Sequence, residues 1–246
     1  MADAKFAFYK ESDGSLQYHS DFMTQTFLRK DVYYTVATSG DGYSASGLMI
    51  PTSITNQEVW AYRSSATVGR WGTYFINNSW FERIIVDGPP GTLVEVYVFA
   101  RIRQTDDRGV GFRAWNSVTN ELAFSTRTRP MIVAGRLEGN SGAVGLQNDR
   151  KYAAVLPTYA GRRQVLWDQN QNVDNDQKIP RYYYTGYMLN TFYGVSLPVG
   201  GAYVVKLPTA DAPLITYTAR NDPPPAGGIE VDVNFQRALV VDVTGL

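Results

Sequence analysis

The residues able to do chemistry in this chain are scattered, and their spacing fails most reaction templates. Asp168, Asn170, Asn172, Asp174 and Asp176 place oxygen ligands at alternate positions, as a calcium loop does. Counted from Asp168, however, the position that needs glycine is Val173 and the terminal glutamate position is Ile179, so the helix-loop-helix calcium pattern is not met. The segment Asp168–Lys178 is therefore expected to be a polar loop. His19 is the one histidine, so a Ser-His-Asp site would have to use it as its base. Gly42-Tyr-Ser-Ala-Ser46 comes nearest to a nucleophile elbow and lacks its final glycine. His19 reads as a surface residue on a strand. A pair of carboxylates would suit glycoside hydrolysis, and Glu82, Asp87, Glu95, Asp106 and Asp107 qualify by residue type alone. Gly40-Asp-Gly42 does not extend into a dinucleotide fingerprint, and no phosphate-binding loop motif occurs. We expect no catalytic residues, no metal site and no cofactor.

The densest unusual segment is Arg181-Tyr-Tyr-Tyr-Thr-Gly-Tyr187. As a strand it would put Tyr182 and Tyr184 on one face and Tyr183 and Tyr187 on the other. Aromatic residues on both faces imply that both are covered or that one is adhesive. Core plus subunit contact is the first reading; a platform on which sugar rings stack is the second, with Trp60 and Trp71 contributing from loops. These six residues are the candidate interface or glycan-stacking set.

Composition narrows the class further. Lysine plus arginine (23) equal aspartate plus glutamate (23), so no positive field gathers nucleic acid. Cysteine is absent, which excludes disulfides, zinc-thiolate sites and thiol nucleophiles. The first residues show no signal-peptide layout and no apolar run reaches the ~20 residues of a membrane span, so a protein made in the cytoplasm without membrane insertion is expected. Seventeen tyrosines, with 22 glycines and 12 prolines spread as punctuation, favour strands.

Those strands are bounded by turn signals. Leu93–Ile102 alternates, with Val94, Val96, Val98, Ala100 and Ile102 facing a core. Gly88-Pro-Pro-Gly91 precedes it as a reversal, which would make Trp80–Val86 its antiparallel partner. Ser79-Trp-Phe-Glu82 also has the spacing of a capping box, so a short helix is the alternative there. Asp31–Ala37, Trp60–Tyr62, Gly72–Ile76, Met131–Val133, Tyr152–Leu156, Val165–Trp167, Tyr182–Met188, Ala202–Leu207 and Leu214–Ala219 read as further strands. After Asp222-Pro-Pro-Pro-Ala-Gly-Gly228, a last hairpin is expected from Ile229–Phe235 and Leu239–Val243. The fold class is all-β: one or two antiparallel β-sandwich-like domains with a repeated β-hairpin. The divisions expected are 1–105, 106–221 and an arm with its hairpin at 222–246.

The repeat is explicit. Phe6, Tyr9, Leu16 and Tyr18 are answered by Phe112, Trp115, Leu122 and Phe124, with turn-formers Asp13-Gly14 and Thr119-Asn120 between the arms. Asp-Gly supplies the positive φ angles of a two-residue turn. Lys5–Ser20, its echo Gly111–Thr126 and the closing Ala238–Leu246 resemble the tail-tip and central-fibre-associated tail proteins of long-tailed bacteriophages. That resemblance implies a structural virion protein of the tail tip or fibre, with no catalytic residues attached to the motif. It implies other phage tail proteins as partners, self-assembly as a homotrimer about the tail axis, and a place in the virion tail. Host-surface polysaccharide binding, or a capsid or decoration role, are the alternatives.

Overall fold

In a computed structural model, the described backbone comprises residues 7–9, 16–19, 25–37, 46–52, 58–101, 110–116, 119, 122–139, 141–156, 161–173, 180–207, 212–220, 229–233 and 237–246. Side chains are described for the same residues except 7–9, 16–19, 161–173, 180–192, 212–220 and 229–233.

Among these residues the chain is all-β, and its strands build two main antiparallel sheets. In chain order the first are β1 (Ala7–Tyr9), β2 (Leu16–His19), β3 (Gln25–Tyr34), β4 (Val36–Ala37) and β5 (Ser46–Thr52). Next come β6 (Val59–Ser64), β7 (Val68–Ile76), β8 (Ser79–Val86), β9 (Leu93–Arg101), β10 (Arg113–Trp115) and β11 (Leu122–Ser125). Then follow β12 (Ile132–Glu138), β13 (Ala143–Gly145), β14 (Tyr152–Val155), β15 (Gly161–Val173) and β16 (Pro180–Ser196). The last are β17 (Gly201–Leu207), β18 (Ala212–Arg220), β19 (Ile229–Val233) and β20 (Arg237–Asp242). A six-stranded sheet has the order β12-β20-β14-β6-β9-β3. The larger sheet runs β13-β17-β16-β7-β8-β5-β4, with β15 and β18 also pairing β16, and β19 pairing β15. The six-stranded sheet takes strands from all three of the segments 1–105, 106–221 and 222–246.

The two sheets pack face to face. Tyr62, Val94, Val96, Val98, Ala154, Ala238 and Val240 of one meet Leu48, Ile50, Val68, Ile84, Val86, Val195 and Val204 of the other in a single buried cluster. The outer face of the six-stranded sheet is covered as well. Ala61, Tyr97, Phe99, Ala153, Val155, Val241 and Val243 form a second cluster beneath Phe27, Met131 and Leu246. Strands buried on both faces lose strict alternation. In the strand expected at Leu93–Ile102, the second face reads as a mixed surface under partial cover; there Tyr97 and Phe99 are as fully buried as Val96 and Val98.

Several connections differ from the expected ones. Trp80–Val86 is strand, not helix, but its partners are β7 and β5, while β9 pairs β3 and β6 in the opposite sheet. The Gly-Pro-Pro-Gly segment thus carries the chain across the sandwich instead of folding a hairpin. Asp31–Ala37 is likewise split at Thr35, where the chain leaves the six-stranded sheet for the larger one. The two crossings are bonded together. Thr35 N–H donates to the Thr92 carbonyl (3.0 Å) and Gly91 N–H donates to the Thr35 carbonyl (2.7 Å). The Thr35 hydroxyl donates to the Pro89 carbonyl (3.1 Å) and accepts from Thr92 N–H (3.0 Å).

Among the described residues the last hairpin does not form: β19 pairs β15, whereas β20 lies between β12 and β14, one strand in from the edge of its sheet. Apolar residues on both faces of β20 explain this, since Ala238 and Val240 on one face and Val241 on the other are each at most 2% exposed. Of Asp168–Lys178, expected as loop, residues 168–173 continue β15, with backbone paired from Asp168↔Thr185 to Val173↔Pro180, and residues 174–178 lie outside the described residues.

The repeated hairpin holds in detail. The pairs Ala7↔His19, Phe8↔Tyr18 and Tyr9↔Leu16 recur as Arg113↔Ser125, Ala114↔Phe124 and Trp115↔Leu122, with an irregularity before the third pair in both. Each hairpin is a two-stranded sheet separate from the two main ones. The two-residue turn expected at Asp13-Gly14 lies outside the described residues. In the second copy Thr119 N–H donates to Asn116 Oδ1 (3.0 Å), a side-chain-closed turn.

Candidate interaction surface

The six aromatic residues of the candidate set do not share one site. Tyr182, Tyr183, Tyr184 and Tyr187 lie in β16, at register positions facing β15 along their whole length. On the other edge of β16, Tyr182, Tyr184 and Tyr187 are aligned with Arg220, Tyr217 and Pro213 of β18. Both edges of the tyrosine run are therefore occupied by strands of this chain. Trp60 and Trp71 stand in strands, not loops, and in opposite sheets. Trp60 packs against the inter-sheet core and its indole N–H donates to Glu58 (2.9 Å). Trp71 is the extra residue of a bulge between Arg70 and Gly72, and the Arg83 guanidinium stacks 4.7 Å from its ring centre.

The bulge builds a polar cluster that residue spacing did not announce. Before it, Arg70 is aligned with Ile84; after it, Thr73 is aligned with Glu82, so both side chains reach the inner face. Arg70 clasps Glu82 through Nε on one oxygen and Nη2 on the other (3.1 Å). Thr73 donates to Glu82 (3.0 Å) and accepts from Arg70 Nη2 (2.9 Å). Glu82 is buried, and bidentate pairing is what makes such a charge tolerable. Burial opposes the Arg70 charge, but the hydrogen bond and charge of Glu82 outweigh it and leave its pKa raised. On the facing sheet, burial pushes the Tyr62 hydroxyl well above the ordinary tyrosine range, and the Glu82 charge adds to that shift.

A second charged group crosses the outer face of the other sheet. Glu95 is held by Lys30 Nζ (2.5 Å) and Arg63 Nη1 (2.7 Å), and the Tyr97 hydroxyl donates to it (3.2 Å). Burial raises the Glu95 pKa, but the hydrogen bonds from Lys30 and Arg63 outweigh it, so the carboxyl sits below its usual value. A general acid needs the opposite shift. Of the carboxylates singled out by type, Glu82 faces the inter-sheet core and Glu95 the outer surface. Asp87 lies in the crossing between sheets, while Asp106 and Asp107 lie outside the described residues. No group of three or more metal-ligating side chains occurs among the described residues. No helix among them is long and apolar enough to cross a membrane.

Exposed apolar side chains occur in several places among the described residues. Asn77 and Asn78, at φ 49° and 63°, form the two-residue turn between β7 and β8. Just behind it Phe75 and Trp80 stand across from each other with ring centres 4.9 Å apart, 55% and 40% exposed. In the second hairpin copy Trp115 is 46% exposed. Along the free edge of β3 and into β4, Leu28, Val32, Tyr34 and Val36 are exposed. The Asn-Asn dipeptide was the available signal for the β7–β8 tip, since asparagine tolerates left-handed backbone. No protein-family model, curated protein or solved structure matches the chain.

Proposed function

We propose that this chain is a structural protein of a bacteriophage tail tip or fibre, acting through assembly and attachment and not through catalysis. The observation that carries this reading is the pair of hairpins with one register and one irregularity, each standing outside both main sheets. A short two-stranded unit is marginal alone in water, so a duplicated one suits contact with neighbouring protein. The same segments carry the resemblance to tail proteins. A trimeric ring about the tail axis satisfies each copy of a head-to-tail contact. Antibody labelling of purified phage particles tests this: label at the distal tail is expected, and label confined to heads or absent from particles would overturn it.

The Phe75–Trp80 pair favours host polysaccharide as a second reading, because flat rings beside the Asn77 and Asn78 amides match the faces and hydroxyls of a sugar. Binding to a glycan array that is lost on Trp80→Ala is expected on this reading. No binding by the folded wild-type protein would exclude it.

A further inference from the structure

We propose that the free edge of β3 pairs antiparallel with the same edge of a second copy of this chain, about a two-fold axis at Val32. This names the contact surface of the assembly reading above and rests on it.

β3 ends the six-stranded sheet, paired only with β9 in that order. Its first residues are covered: Phe27 N–H donates to the Arg129 carbonyl (2.7 Å) and Met131 N–H to the Gln25 carbonyl (2.8 Å). Beyond the irregularity at Leu28 the strand runs straight from Arg29 to Tyr34, until the corner at Thr35. Nothing among the described strands pairs this stretch on its outer side. A strand edge offers alternating backbone donors and acceptors, and the ligand that satisfies them best is another strand. Native edges are commonly blunted by proline, bulges or exposed charge. This stretch has no proline, its charges are already paired to Asp31, Glu58 and Glu95, and Val32 and Tyr34 are 48% and 62% exposed.

Of the centres from Lys30 to Val32, the residue sequence favours one. Around a two-fold normal to the sheet, each residue faces a residue of the same sheet face, and the central residue faces itself. Centring on Lys30 sets lysine against lysine, and centring on Asp31 sets aspartate against aspartate; like charges directly opposite are destabilising. Centring on Val32 sets valine against valine and Lys30 against Tyr34 of the other copy, twice. The lysine then meets an exposed ring, as it already meets Tyr97 at 5.3 Å within its own chain. The exposed apolar side chains are covered and no like charges are opposed. Where the chain also forms a threefold ring, each such contact joins one ring to another, so the assembly holds an even number of chains.

The absence of cysteine makes the test direct. Residues directly opposite across an antiparallel pair have Cα atoms about 4.5–5.5 Å apart, within the span of a disulfide. In the full-length chain, mild oxidation of Val32→Cys should give a covalent dimer, shifting the band from 27.4 kDa to about 55 kDa, twice the chain mass. Val199→Cys, at a turn where the side chain is 84% exposed, should stay at the chain mass and controls for random collision. Dimer no more abundant for Val32→Cys than for Val199→Cys, or greater for Asp31→Cys, would overturn the proposal. Val32→Lys supplies a second reading without oxidation: sedimentation should show an even-numbered assembly falling to half its mass, and an unchanged mass would overturn it. Distal-tail labelling without cross-linking sinks this contact alone. Cross-linking without label on particles sinks the tail reading and leaves the contact standing.

Discussion

Glu82 and Arg70 illustrate at the scale of residues how a sandwich carries charge on its inner side. The fork of hydrogen bonds among Arg70, Thr73 and Glu82 offsets the loss of water around a buried carboxylate. Glu82→Leu alone leaves the guanidinium without its anion and should cost about 3 kcal/mol in urea unfolding. Arg70→Met with Glu82→Leu removes both charges and should return to within about 1 kcal/mol of the parent. Equal losses in the single and double variants would show that packing, not charge, holds the site. Glu95 gives a pH signature. Its folded-state pKa lies below the unfolded value, so its stabilisation is complete above the ordinary glutamate range and is lost as pH falls through the folded value. Unfolding free energy should drop as pH falls below the ordinary glutamate range, and Glu95→Gln should flatten part of that slope. An identical slope in the variant would place the acid sensitivity elsewhere, with Asp242 next in line. Burial raises Asp242, but hydrogen bonds from Thr244 and Arg150 hold it below its usual value.

Elements are closed by a few backbone positions. The β7–β8 hairpin needs left-handed backbone at two consecutive residues, which asparagine accepts and β-branched residues resist. Asn78→Val should lose about 1–3 kcal/mol, whereas Asn78→Gly should be neutral or stabilising. A thermal melt reads both, and a tolerated valine would mean the turn can rearrange. The crossing between sheets depends on Thr35 in the same way. Its hydroxyl serves Pro89 and Thr92 from a position only 3% exposed, so Thr35→Val should cost about 1–3 kcal/mol through the polar groups it strands.

The whole molecule depends on its final strand more than the proline-rich stretch before it suggests. β20 contributes to both clusters, with Ala238 and Val240 on the inner side and Val241 beneath the outer cover. Ending the chain before Arg237 would expose β12 and β14 to water and leave their ladders unpaired. Loss of the cooperative melt and of near-ultraviolet circular dichroism is expected from that truncation. A truncated chain that still melts cooperatively would show that β20 only completes an assembly.

Local chemistry was legible from the residues alone. Two-residue alternation, tyrosine and valine content and turn punctuation determine the all-β class, and the twin hairpins can be aligned pair for pair from their residues. Sheet membership was not legible. Trp80–Val86 and Leu93–Arg101 are neighbours in sequence with a reversal between them, yet they lie in opposite sheets. Strand propensity says that a segment is extended, not which ladder receives its hydrogen bonds. That choice is made by burial on two faces at once and by the Thr35–Pro89–Thr92 crossing, whose partners are more than fifty residues apart. The Arg70–Glu82 pair was hidden for the same reason. A one-residue bulge at Trp71 resets the register, and only the paired strands determine which side chains then meet on the inner face.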